Sequence, residues 1–116
     1  MKNTIRAATF AMMMAASTVT MAQYTGPSSI NQTTVKELLA NGVDDQKAIL
    51  VGRIVSHDGD NDYTFDDGTG RIKVEISERR FPAGKPIDDQ QKVELTGELD
   101  KDRHGVEFDV DQLRVL

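Results

Sequence analysis

The apolar positions of this chain change period at Asp44-Asp45. Upstream, Val35, Leu38 and Leu39 fall at i, i+3 and i+4, one face of a helix. Thr34-Val35-Lys36-Glu37 has the capping-box form, with Thr34 as N-cap and Glu37 reaching back to it. Asn41-Gly42 supplies a left-handed stop, so the pattern predicts a helix of about two turns. Downstream the period is two. Residues 47–56 (KAILVGRIVS) are rich in β-branched side chains and predict a long first strand. Their continuous apolar stretch asks for cover on both faces, and the helix is a candidate for one of them. Residues 57–61 (HDGDN) read as a polar turn. Residues 62–66 place Tyr63 and Phe65 inward, Asp67-Gly68-Thr69-Gly70 makes a tight hairpin, and residues 71–76 place Ile72, Val74 and Ile76 inward.

Residues 77–90 hold Pro82, Gly84 and Pro86 and predict a loop with at most one helical turn. A fourth strand, 91–99, turns Val93, Leu95 and Leu99 inward and bends at Gly97. After a turn over 100–105, a fifth strand to about Leu113 turns Val106, Phe108 and Val110 inward and Glu107, Asp109 and Asp111 outward. Three strands in a meander, a long connection and two more strands match the layout of the OB-fold, a five-stranded Greek-key barrel. The expected class is therefore all-β with one short N-terminal helix. A five-stranded sandwich fragment or an SH3-like barrel is the competing architecture.

The first residues read differently. Lys2 and Arg6 precede an alanine- and methionine-rich run over 7–16, and Thr20-Met21-Ala22 offers the small residues of a cleavage site. These are the parts of a secretory signal, and the run falls short of the roughly 20 apolar residues a membrane span needs. The expected organisation is a cleaved signal peptide over 1–22, an extended lead-in over 23–33 (QYTGPSSINQT) and the barrel domain over 34–116. Cleavage after Ala22 leaves 12 basic against 19 acidic residues, a net charge of −7. There is no cysteine to form a disulfide or carry a lipid, so an exported domain of this size rests on its hydrophobic core.

Several segments together resemble the bacterial OB-fold (BOF) family of YgiW/YdeI-type periplasmic stress-tolerance proteins. They are Tyr24-Thr25-Gly26-Pro27-Ser28, Val51-Gly52-Arg53-Ile54-Val55, Tyr63 to Gly70 (YTFDDGTG), Val93 to Lys101 (VELTGELDK) and Val106 to Val110 (VEFDV). The resemblance spans nearly all of the chain after residue 22. It implies a periplasmic, non-enzymatic OB-fold whose ligand is poorly defined across the family. Members often carry a tryptophan after the third strand; Phe81 stands there in this chain, which has none.

Charge and side-chain direction narrow the candidate chemistry. OB-folds that hold single-stranded nucleic acid use a basic groove and aromatic platforms, each worth roughly 1–3 kcal/mol. With Tyr63 and Phe65 inward, the outer face carries Asp62, Thr64, Asp66, Arg71, Lys73 and Glu75 and has no stacking surface. A domain near −7 also repels phosphate chains, so nucleic acid is not an expected partner. Arg53, Thr64, Arg71 and Lys73 are the candidate donors for an anionic or hydroxyl-rich small molecule or a cell-wall glycan, although outward charges also simply keep a sheet soluble. His57 and Asp58, with Asp102 and His104, are the candidate metal ligands if the two loops approach each other. Asp58, Asp60 and Asp62 begin like an EF-hand loop, but Tyr63 and Thr69 occupy its glycine and glutamate positions. Glu107, Asp109 and Asp111 form a carboxylate ladder, fit either for polycations or as a solvated, defended edge. No nucleophile motif, phosphate loop or cofactor motif is present, so neither catalysis nor a cofactor is expected. The expected function is a periplasmic binding module contributing to envelope stress tolerance, with a small ligand, glycan or cation held and not turned over. A structural protein contacting peptidoglycan or an envelope protein is the alternative.

Overall fold

The computed structural model describes residues 30–116. The expected signal peptide, its junction after Ala22 and the lead-in as far as Ser29 lie outside the described residues. The described part contains helix α1 (Val35–Asn41) and strands β1 (Lys47–Gly59), β2 (Asp62–Asp66), β3 (Arg71–Glu75), β4 (Lys92–Asp102) and β5 (Gly105–Val115), with a single 3-10 turn (Glu78–Arg80) after β3. The strands close in the order β1-β2-β3-β5-β4. Every seam is antiparallel except β3–β5, which is parallel and short: Lys73 faces Glu107, Val74 faces Phe108 and Glu75 faces Asp109. This is the five-stranded OB barrel, and its interior is filled by alternate residues of every strand, from Ala48 and Leu50 through Phe65, Val74 and Leu95 to Phe108. Each large apolar side chain so enclosed stabilises the fold by roughly 1.5–3 kcal/mol. Among the described residues no polar or charged side chain is buried.

The helix ends the barrel and does not cover an outer face of β1. Val35 and Leu38 belong to the core itself. The N-terminus of α1 is tied to the β2–β3 turn, where Val35 N donates to Asp67 Oδ2 (2.8 Å) and Lys36 N to Thr69 Oγ1 (3.1 Å). Its other end meets β4 through Asp45 N to Leu99 O and Leu99 N to Gln46 O, both 2.8 Å. Two expectations about the helix ends are corrected. Thr34 caps as expected, accepting from Glu37 N at 3.1 Å, but the Glu37 carboxylate accepts from Asn41 Nδ2 (2.7 Å) one turn on and not from the cap. Gly42 is extended (φ −68°), not left-handed; a glycine is required there because a Cβ would meet the Leu38 carbonyl and stand 2.6 Å from Leu99 Cδ2. The left-handed residue is Asp45, at φ 67°.

Strand lengths also differ from the sequence reading. The expected turn over 57–61 is only Asp60 and Asn61: β1 continues to Gly59 through two register shifts, and Gly59 (φ 129°) and Asp60 (φ 45°) reverse the chain. The β4–β5 hairpin is longer than expected, reaching Asp102 and restarting at Gly105. On β5, Thr96 faces Gln112 but Gly97 faces Val110, which leaves Asp111 as a bulge. The extra residue shifts the alternation, so Leu113 and Val115 pack against the core after Phe108 and Val110.

Candidate functional site

The alternation that sends Val74 and Phe108 into the barrel sends Lys73, Glu75, Glu107 and Asp109 out of it. Asp62 faces Glu75 across β2–β3, and Glu75 faces Asp109 across β3–β5. On the far side of β5, Glu107 faces Asp100 and Asp109 faces Glu98. Carboxylates from four strands therefore share one patch of the outer sheet. Oxygen atoms of Asp62, Glu75 and Glu107 all lie within 4.8 Å of one another, and among the described residues this is the group of acids that converges in this way. Glu107 and Asp109 are only partly exposed, so they are not the solvated edge ladder expected from sequence; barrel closure has turned that edge into a seam. Asp111, at the bulge, remains exposed.

Crowding shows in the proton affinities. Burial, together with Glu107, Glu75 and Asp100 and a hydrogen bond shared with Glu75, pushes the Asp109 carboxyl up to about 6. Burial and then Glu75 raise Glu107, with Asp62 and Asp100 adding to the effect and Lys73 opposing it. Lys73 is the cation inside the patch, and its Nζ stands 3.9 Å from Asp62 Oδ2. Lys47 Nζ holds Glu98 at 3.2 Å on the margin. The cluster thus concentrates oxygen ligands of the kind that hard divalent cations take, with a single ammonium as internal counter-charge.

The four expected donors lie on the outer sheet, and each is already engaged. Arg53 Nη1 donates to the Asp89 carbonyl (3.0 Å), Thr64 Oγ1 to Asp58 Oδ2 (2.7 Å) and Arg71 Nε to Asp66 Oδ2 (2.9 Å), while Lys73 faces Asp62. Those bonds hold Asp58 and Asp66 below their ordinary values. Thr64 and then Ser56 are the donors for Asp58; the Gly68 N–H and then Arg71 are those for Asp66. Of the expected metal quartet, His57 and Asp58 lie on β1, whereas Asp102 and His104 sit at the β4–β5 turn, where His104 N donates to Asp102 Oδ1 (2.7 Å). The two histidines line separate depressions, and the quartet forms no convergent group among the described residues.

Sequence reasoning placed Tyr63 inward with Phe65. Phe65 is fully buried, but Tyr63 stands at the barrel mouth, half-buried. There it stacks on His57, its cross-strand partner, with ring centres 4.3 Å apart and planes 13° from parallel. Phe81 is tilted against Tyr63, with ring centres 5.5 Å apart and planes at 57°. These rings, with Ile87, line a depression of about 360 Å³. Neither the depression nor the carboxylate cluster was visible in sequence. Both are assembled across strands whose pairing no local pattern specifies.

Comparison with known proteins places this architecture. A family model described as bacterial OB fold (BOF) protein matches residues 13–115. The chain belongs to the BOF family. One BOF relative, the calcium-regulated OB-fold protein CarO of Pseudomonas aeruginosa, is 42% identical over 101 residues, 86% of each chain. Protein YgiW of Escherichia coli K12 is 41% identical over 71 residues, 61% of this chain and 54% of its own length. The solved structure of the hypothetical protein ygiW from E. coli superposes with a TM-score of 0.69 at 34% identity, covering 78% of this BOF chain and all of the other. The S. pombe Stn1–Ten1 complex matches with a TM-score of 0.60 at 18% identity over 78% of this chain and 79% of that one, a likeness of fold alone. No described helix of this BOF protein is long and apolar enough to cross a membrane.

Proposed function

We propose that this BOF protein is a periplasmic, non-enzymatic binding protein that holds a divalent cation of the calcium type on the outer face of its barrel. The ligands are Asp62, Glu75 and Glu107, with Asp109 beside them. The observation that carries this reading is the convergence of three carboxylates from three strands within 4.8 Å. Calcium takes six to eight oxygens in flexible geometry, which three carboxylates and water can supply; magnesium demands a tighter octahedron and keeps its water. The reading needs no EF-hand loop. It is supported by the similarity to CarO, a relative whose name describes it as calcium-regulated. Clustered like charges destabilise the empty patch, so an entering cation stabilises the β3–β5 seam that closes the barrel. Such coupling suits a protein that contributes to tolerance of envelope stress by responding to the ions around it. Thr64, opposite Lys73, and Arg53 and Arg71, at the Asp66 end of β2, are the positions for anionic or hydroxyl groups of a second ligand, which would displace the bonds they now make.

Two measurements test this. Thermal unfolding of chelator-treated protein should shift upward with Ca²⁺ far more than with Mg²⁺; a ligand at 100 times its Kd adds about 2.7 kcal/mol. Glu107→Gln should abolish the Ca²⁺ shift, and equal shifts in parent and variant would refute the site. Export is tested by N-terminal sequencing of the protein from the periplasmic fraction, with Gln23 the expected first residue.

A further inference from the structure

We propose that the aromatic depression at the barrel mouth is a second, separate binding site, for a small organic cation with an apolar body. Its wall is the His57–Tyr63 stack with Phe81 and Ile87, and its rim is Asp88 and Asp89. A volume of about 360 Å³ lies within the range of small-molecule sites.

The hydrogen-bonding inventory selects the class of ligand. Two of the side-chain donors on the wall are already engaged. Ser56 Oγ donates to Asp58 Oδ1 (2.8 Å), and His57 Nε2 lies 2.8 Å from the Asp60 carbonyl. A carbonyl can only accept, so that nitrogen carries a proton, and in the neutral ring Nδ1 is left as an acceptor. What remains is the Tyr63 hydroxyl, which can donate or accept, and a larger set of acceptors: His57 Nδ1, the Asp88 and Asp89 carboxylates and the aromatic faces. Among the described residues no hydrogen bond engages the side chain of Asp89 or the Tyr63 hydroxyl, and Asp88 uses one oxygen for Gln90 N (2.9 Å). Glu78 adds negative charge nearby, acting after burial to raise the Tyr63 hydroxyl. Among the described residues no lysine or arginine lines the depression; Arg53 turns to the backbone carbonyl of Asp89 at its edge. A site rich in acceptors, poor in donors and walled by rings is complementary to ammonium or guanidinium, which bring donors and no acceptor and bind ring faces. An anion meets the Asp88 and Asp89 carboxylates there, and a neutral polyol finds, among the described residues, the Tyr63 hydroxyl as the one free side-chain donor for its several oxygens.

The site is tested by titrating the purified protein with 2-phenylethylammonium and with its neutral counterpart 2-phenylethanol, following the ring protons of His57, Tyr63 and Phe81 by NMR. The ammonium should give saturable shifts with a Kd about tenfold or more below that of the alcohol. Asp88→Asn combined with Asp89→Asn should remove that preference, and Tyr63→Leu should weaken both ligands, each variant being checked for an unchanged fold by its amide spectrum. Glu75→Gln, which disables the calcium patch, should leave the ammonium Kd unchanged, so the two sites fail or stand separately. Equal affinity for ammonium and alcohol, shifts that never saturate, or a preference that survives the Asp88/Asp89 double variant would overturn the proposal.

Discussion

Asp67 and Asp109 are carboxylates of one small sheet driven in opposite directions by their neighbours. Partial burial raises Asp67, but bonds from Thr69 Oγ1 and from the backbone N–H groups of Val35, Thr69 and Gly70 outweigh it and hold the carboxyl below its ordinary value. Its charged form is therefore favoured in the folded state, and the stability it adds is lost as pH falls through its folded pKa. Asp67→Asn should cost about 1–2 kcal/mol in urea unfolding at neutral pH, because an amide replaces the acceptor that seats the first turn of α1. Asp109 has the reverse sign. Its folded pKa of about 6 exceeds the ordinary value of 3.8, so the folded protein holds that proton more tightly than the unfolded chain. Metal-free protein should gain stability as pH falls through 6, with the gain complete below about 4. Asp109→Asn should raise stability at pH 7.5 by about 1 kcal/mol, less than the full shift implies because water screens a partly exposed group, and flatten that rise, as read by thermal unfolding in chelator across pH.

At the scale of elements, β5 shows how much a sequence pattern carries and where it stops. Val106, Phe108 and Val110 alternate, then Leu113 and Val115 resume out of phase. That slip in period is the trace of the Asp111 bulge, although alternation read as far as Leu113 does not reveal it. Gly97, opposite the bulge, is legible as a bend, but its cause is tertiary: a Cβ there would run into the Asp109 carbonyl and stand 3.0 Å from Phe108 Cε2. Gly97→Ala should therefore cost about 2 kcal/mol or more in equilibrium unfolding, since backbone and a packed ring must both move. The helix was readable from Val35, Leu38 and Leu39, whereas its ends were not. Glu37 is captured by Asn41, and Gly42 answers to Leu99, a residue 57 positions away in β4. Local pattern marks most of the inward residues, but Leu39 of the helical stripe is exposed and the bulge turns Leu113 and Val115 to the core.

Across the whole molecule, the same limit separates fold from site. Five alternating segments and one helix were enough to expect a closed barrel with an aliphatic interior. The patch that gives the barrel its chemistry depends on the parallel seam, where Glu75 meets Asp109 and Lys73 meets Glu107. No spacing in the sequence announces that register, because β3 and β5 are separated by a loop and a full strand. Closure also explains why Glu107 and Asp109, which read as a solvated edge, are partly buried and have raised proton affinities. Tyr63 is the comparable case at the mouth: it has the inward phase of Phe65, but the barrel ends beside it and leaves its ring for His57 and Phe81. A barrel built in this way places a group of carboxylates on the seam that closes it, so the proposed cation site is linked to barrel stability. The most direct test is to follow the side-chain carboxyl carbons of chelator-treated protein by NMR while Ca²⁺ is added. The account predicts saturable shifts at Asp62, Glu75 and Glu107 with one ion per chain. Uniform, non-saturating shifts spread over all surface acids would contradict it.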